Sequence, residues 1–159
     1  MKELETAIRL RAEGCLKESN TIFMDLVNQY PDDPVVNYQC AWSFDVMGLE
    51  KEAIPYYEKA MELGLPEEDL RGALLGLGST YRTLGEYEKS RQVFLKGIEL
   101  FPEDHGIKTF YAMTLYNLGK YSHAMKILLN TLAVTSADET ITQYVKAITF
   151  YAEDLDKIW

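Results

Sequence analysis

The sequence predicts an all-α chain folded as a helical solenoid, with four helix-turn-helix repeats and a C-terminal capping helix. Three observations support this. Gly14, Gly48, Gly85 and Gly119 recur 34, 37 and 34 residues apart. Each opens the same local pattern: Gly14-Cys-Leu-Lys-Glu-Ser, Gly48-Leu-Glu-Lys-Glu-Ala, Gly85-Glu-Tyr-Glu-Lys-Ser and Gly119-Lys-Tyr-Ser-His-Ala. Between the glycines the apolar period is helical, with Leu74, Leu77, Gly78, Tyr81 and Leu84 on one face, and Val93, Phe94, Gly97, Ile98 and Phe101 on another. A unit this short cannot bury its apolar face alone, so a fixed period implies neighbours stacked on a shared core.

The repeats fall at about 1–33, 34–70, 71–104 and 105–138, and the cap at about 139–157, within a single domain of residues 1–159. Each recurrent Gly closes the first helix of its repeat, where a left-handed turn carries no Cβ penalty. A second helix follows, rich in Glu and Lys on its outer face. Pro31 and Pro102 end second helices, and the Asp32-Asp33 and Glu103-Asp104 pairs suit a turn and the acidic first turn of the next helix. The second repeat carries three extra residues in Gly64-Leu-Pro-Glu-Glu-Asp-Leu70. There Leu65-Pro66 stops one helix and Pro66-Glu-Glu-Asp starts another. Pro55 falls early in a second helix, where a missing N–H is tolerable. Thr135-Ser-Ala-Asp138 reads as an N-cap segment. It leads into one final helix, suggested by Tyr144, Val145, Ile148, Phe150 and Tyr151, that caps the last repeat and turns Glu153-Asp-Leu-Asp156 towards solvent. Nine helices are expected.

Composition narrows the function. Apolar residues make up 47% of the chain, enough for a continuous core. The net charge of -9 repels phosphate backbones and anionic lipid, which argues against nucleic acid and membrane surfaces as partners. Charge-free runs such as residues 109–119 reach 11 residues, against the roughly 18 of a membrane span. The acidic opening Met1-Lys-Glu-Leu-Glu-Thr lacks a signal-peptide pattern, so a cytoplasmic protein is expected. Cys15 and Cys40 read as reduced small apolar residues.

Catalytic chemistry finds no constellation. His105 and His123 lie in turn or helix-start positions, and Ser122-His123 are neighbours that do not face one another on a helix. No His-Glu-x-x-His or paired Cys motif is present, so neither a metal nor a cofactor is expected. Gly76-Leu-Gly78 lacks the third glycine of a dinucleotide loop and lies in a helical pattern with no preceding strand. Glu50/Glu52, Glu67/Glu68/Asp69 and Glu153/Asp154 read as solvated faces and helix starts. The chain is not expected to be an enzyme.

A recurring set of side chains then places the pattern. Small residues stand at Ala7, Ala41, Gly78 and Ala112, with Leu10, Phe44, Tyr81 and Leu115 three positions on. Ser19, Ala53, Ser90 and Ala124 open the second helices, followed four residues later by Phe23, Tyr57, Phe94 and Leu128. This register, held over nearly the whole chain, resembles the tetratricopeptide repeat, and the layout resembles small stand-alone bacterial members of that family.

The resemblance implies a right-handed superhelix whose first helices line a concave groove that captures a protein or peptide. Carried over by register, the groove positions are Leu4, Ile8 and Arg11, then Tyr38, Trp42, Asp45 and Val46. They continue with Leu75, Ser79, Arg82 and Thr83, then Thr109, Met113, Tyr116 and Asn117. Aromatic, Arg and Met side chains of this kind are common at interface hot spots. Two Arg against one Asp imply a partner segment that is apolar or aromatic with neutral-to-acidic flanks. Tyr38 and Trp42 either face the groove or pack between neighbouring helices. The carboxylate clamp of chaperone-binding members has no counterpart, because Leu4, Ile8, Gln39, Gly72 and Gly76 occupy the corresponding places, or Tyr38, Trp42, Gly76, Gly106 and Phe110 if the frame starts one repeat later. The function expected is a non-enzymatic adaptor or scaffold. The alternative is a structural homodimer, with Lys157-Ile158-Trp159 docking on a second copy.

Overall fold

All four recurrent glycines have left-handed backbone, with φ of 83° at Gly14, 71° at Gly48, 78° at Gly85 and 73° at Gly119. Each closes a helix in the same way. At Gly48, its N–H donates to the Asp45 carbonyl and the Leu49 N–H reaches back to Phe44. Cys15 to Leu10, Glu86 to Tyr81 and Lys120 to Leu115 repeat the longer bond. This is the Schellman closure, in which two otherwise orphaned carbonyls gain donors. The fourfold sequence pattern is therefore a fourfold backbone turn.

The computed structural model describes residues 1–159 as ten helices. They are α1 (Lys2–Ala12), α2 (Leu16–Gln29), α3 (Pro34–Asp45), α4 (Glu50–Leu63) and α5 (Glu67–Thr83), then α6 (Tyr87–Leu100), α7 (His105–Asn117), α8 (Tyr121–Thr135), α9 (Glu139–Thr142) and α10 (Val145–Ala152). The all-α expectation holds. Two compact units divide the chain, Met1–Glu86 with α1 to α5 and Tyr87–Trp159 with α6 to α10.

In the first unit α1 pairs with α2 and α3 with α4, while α3 also packs on α2 and α5 packs on α4 and α3. Ala7, Phe23, Leu26, Val36 and Cys40 form the buried centre, with Phe44 and Tyr56 packed against it. The small residues sit where helices approach: Ser19 is fully buried and its hydroxyl donates to the Ala7 carbonyl at 2.7 Å. In the second unit α7 packs on α6 and α8, and α10 covers part of α8. Ile107, Tyr111, Ala112, Leu115 and Ala124 are buried there, and Ser90 and Thr114 hydroxyls meet at 2.8 Å.

Helix starts follow a rule finer than the acidic first turn expected. Asp33 accepts from the N–H groups of Val35 and Val36, with Pro34 at the first helical position, and Asp104 accepts from Ile107. The second acid of each pair is thus an N-cap. Asp138 caps α9 through Thr140, as the Thr135-Ser-Ala-Asp138 segment implied.

Two local readings need correction. The segment 139–157 is not one helix: α9 ends at Thr142, Tyr144 bonds back to Ile141 in a tight turn, and α10 stops at Ala152. Glu153, Asp154 and Asp156 lie beyond that end because carboxylates disfavour the negative C-terminal pole of a helix. There are consequently ten helices rather than nine. Pro55 is the sixth residue of α4, beyond the first turn, so it removes an internal bond, and its exposure leaves the freed carbonyl to solvent.

Candidate functional site

Most of the groove residues expected in the first unit come from α1, α3 and α5, and their placement sorts them into distinct jobs. Leu4 packs against the buried apolar centre. Tyr38 is also part of the packing, only 7% exposed. Trp42, one turn further along α3, is 40% exposed. The two rings stack with centroids 6.0 Å apart. The alternative left open by the sequence thus resolves differently for each ring.

Arg11 braces Trp42 from α1. Its guanidinium lies 3.9 Å from the Trp42 ring centroid and donates to both the backbone carbonyl and the side-chain oxygen of Gln39. Burial pushes the Arg11 pKa below its ordinary value, against the opposing influence of Tyr38 and Tyr57. A guanidinium stacked and bonded in this way holds the indole in one orientation. Arg11 therefore braces the aromatic from α1.

Asp45 ties three helices together. Its carboxylate accepts from the Tyr57 hydroxyl of α4 at 2.9 Å and the Thr80 hydroxyl of α5 at 2.8 Å. Burial raises its pKa, the two hydroxyl donors oppose that shift, and Glu50 adds to it. Tyr57 is nearly fully buried, and burial followed by the neighbouring Asp45 charge raises its pKa strongly. The sequence placed Asp45 in the groove and Tyr57 among the recurring large residues but did not join them or Thr80, because nothing in a helical register shows which hydroxyls converge on a carboxylate.

A cavity of about 270 Å³ opens beside the indole, lined by Trp42, Asp45, Val46, Glu50, Ser79 and Thr83. Its charged groups, Asp45 and Glu50, are both acidic. With Arg11 bonded to Gln39 and stacked on Trp42, the charge that borders this cavity is acidic. Ile8 is exposed on α1, while Leu75 and Arg82 of α5 are half-buried.

In the second unit Met113 and Tyr116 are exposed on α7, with Tyr116 at 63%. Tyr121, at the start of α8, meets Tyr116 edge-to-face at 5.1 Å, and the sequence reading had passed over it. Asn117 is half-buried beside them. Thr109 turns inward along its own helix, donating to the His105 carbonyl.

These two surfaces are the features of an α-helical repeat protein that offers side chains rather than reactive groups. The family model described as tetratrico peptide repeat matches residues 34–155, and the chain belongs to that family of protein–protein interaction modules. YrrB, described as a TPR protein with an unusual peptide-binding site, shares the fold at 17% identity and a TM-score of 0.74, over 99% of this chain and 78% of its own. MamA from Desulfovibrio magneticus RS-1 is similar at 12% identity and a TM-score of 0.75, covering 96% and 84%. Human aspartyl/asparaginyl beta-hydroxylase is 26% identical over 144 residues, which are 86% of this chain and 19% of the relative. Superkiller protein 3 of Saccharomyces cerevisiae is 26% identical over 106 residues, 62% of this chain and 7% of the relative. The chain thus spans about one-fifth of the hydroxylase and less of the yeast protein. No helix is long and apolar enough to cross a membrane.

Proposed function

We propose that this protein is a non-enzymatic adaptor that captures a peptide or helix of a partner protein on its first-helix faces, with Trp42 as the central anchor. The supporting observation is the indole itself. It is 40% exposed, held by Arg11 on one side and Tyr38 beneath, and borders a cavity. A large aromatic fixed before binding loses little rotamer freedom when a partner arrives, which is the usual property of a hot spot. Val46 and Ile8 in the first unit, and Met113 and Tyr116 in the second, extend the apolar contact on each. Asp45 and Glu50 favour a segment carrying Lys or Arg next to its apolar anchor. A cytoplasmic setting and the absence of nucleic acid or lipid partners fit the acidic charge.

The test is affinity capture from lysate with the wild type and Trp42→Ala/Tyr116→Ala, after both have been shown to fold by circular dichroism and thermal melting. A protein retained by the wild type and lost from the variant supports the reading. Equal recovery refutes it, and a variant that melts shows the two aromatics to be structural.

A second reading, a self-associating homodimer, draws on a different observation. Phe150, Tyr151 and Trp159 form an exposed aromatic cluster, with Phe150 and Trp159 centroids 4.9 Å apart, and Ile158 beside it is 95% exposed. Sedimentation of the chain with and without Ile158 and Trp159 separates the two, since a dimer built on this cluster dissociates when they are removed.

A further inference from the structure

A larger opening lies in the unit Tyr87–Trp159, bounded by α6, α7 and α8, and it shares no residue with the Met113–Tyr116 surface. It measures about 580 Å³, within the roughly 300–1,000 Å³ typical of small-ligand sites. Leu95 and Ile98 of α6 and Ile127 and Val134 of α8 give it apolar walls. Lys108 and His105 of α7 supply polar groups between these walls. We propose that this cavity binds a small organic carboxylate, with an aliphatic or aromatic body between α6 and α8 and its carboxylate held by Lys108 and His105.

The sign of the ligand follows from the lining. Lys108 is the one Lys or Arg side chain in the lining and is half-buried, so its charge is screened less than that of a fully exposed lysine. Glu103, the one acid, is exposed on the loop between α6 and α7, where water weakens its field. The neighbouring Asp104 carboxylate is turned to the Ile107 N–H. His105 Nδ1 is buried and has no hydrogen-bond partner within the chain, so this ring carries an unmet bonding group in the cavity wall. His123 sits edge-on to Tyr111 at 6.2 Å and supplies a second imidazole. The site holds no group of three or more His, Cys, Asp or Glu suited to a metal ion. Apolar walls with a few convergent donors suit an amphiphilic organic anion.

The experiment is a ¹H–¹⁵N correlation titration of the full chain with sodium octanoate and, in parallel, with octanol, which has the same body and no charge. Saturable shifts confined to α6, α7 and α8, with octanol at least about tenfold weaker, are expected from a charge-assisted contact. Lys108→Gln is expected to weaken octanoate about tenfold and leave octanol unchanged. Thr131→Trp fills the cavity and is expected to abolish both. No saturable shift, equal affinity for the two probes, or undiminished octanoate binding by Lys108→Gln overturns the proposal. Because Lys108 is partly solvated, that variant decides the matter even if Thr131→Trp does not fold.

Discussion

A single methyl group decides the approach of α5 to α4. A Cβ placed at Gly76 would overlap the Tyr57 hydroxyl and come within 2.6 Å of its ring carbon Cζ. Tyr57 cannot step aside, because it is buried and its hydroxyl is bonded to Asp45. Gly76→Ala is therefore expected to destabilise the chain by about 1–3 kcal/mol in urea unfolding. In a Tyr57→Leu background the cost is expected to fall by more than half, since the clashing atoms are gone. Equal costs in both backgrounds would show that α5 shifts instead. Asp45 makes the complementary electrostatic case. Burial raises its pKa above the ordinary 3.8, so the native state binds that proton more tightly than the unfolded chain does. Stability from this group falls as pH rises from 3.8 through the native value, and the penalty is complete above it. Asp45→Asn removes the ionisation and keeps a polar partner for Tyr57 and Thr80. Its melting temperature relative to wild type is expected to be higher at pH 7 than at pH 4, and a difference that does not change with pH contradicts the assignment.

At the scale of the helix, the turn that closes each repeat is held by conformation rather than by crowding. Nothing lies within 4 Å of a Cβ built at Gly48 or Gly85, yet both have φ above 70°. A Cβ added at either meets no crowding from elsewhere in the chain, so the measured cost of Val there reports mainly on the left-handed backbone. Each variant is expected to lose at least about 1 kcal/mol, and a neutral result at both positions would mean the turn re-forms without that conformation. This explains why the helices were legible in the sequence. Glycine, proline and the capping Asp33 act within a few residues, and the small residues at Ala7 and Ser19 recur in register. The terminal segment was less legible because Tyr144, Val145 and Ile148 keep a helical period across a turn that periodicity does not register. The candidate site was legible only in part. Register brought Trp42, Met113 and Tyr116 to the surface, but it could not show that Arg11 bonds Gln39 or that Leu4 and Tyr38 pack inward. Those outcomes depend on tertiary partners, 28 residues apart for Arg11 and Gln39, and on packing that sequence spacing does not encode.

Across the whole molecule the charge of -9 acts on association more than on fold. The acidic lining at Asp45 and Glu50 repeats that sign beside Trp42, so the local and the global fields draw the same kind of partner. A cationic segment approaching the indole is steered by both, and steering is a long-range effect screened over about 10 Å at 0.1 M salt. The contact made after docking is short-range and mostly apolar, so salt leaves it largely intact. Stopped-flow measurement with a captured peptide that carries Lys or Arg beside its aromatic anchor is therefore expected to show association slowing by about tenfold or more from low salt to 0.3 M. Dissociation over the same range is expected to change little. Glu50→Gln is expected to reduce the salt dependence without altering the dissociation rate, because it removes one steering charge and no apolar contact. Association that does not slow with salt would mean that Asp45 and Glu50 do not steer the cationic segment, and would move the binding surface away from them.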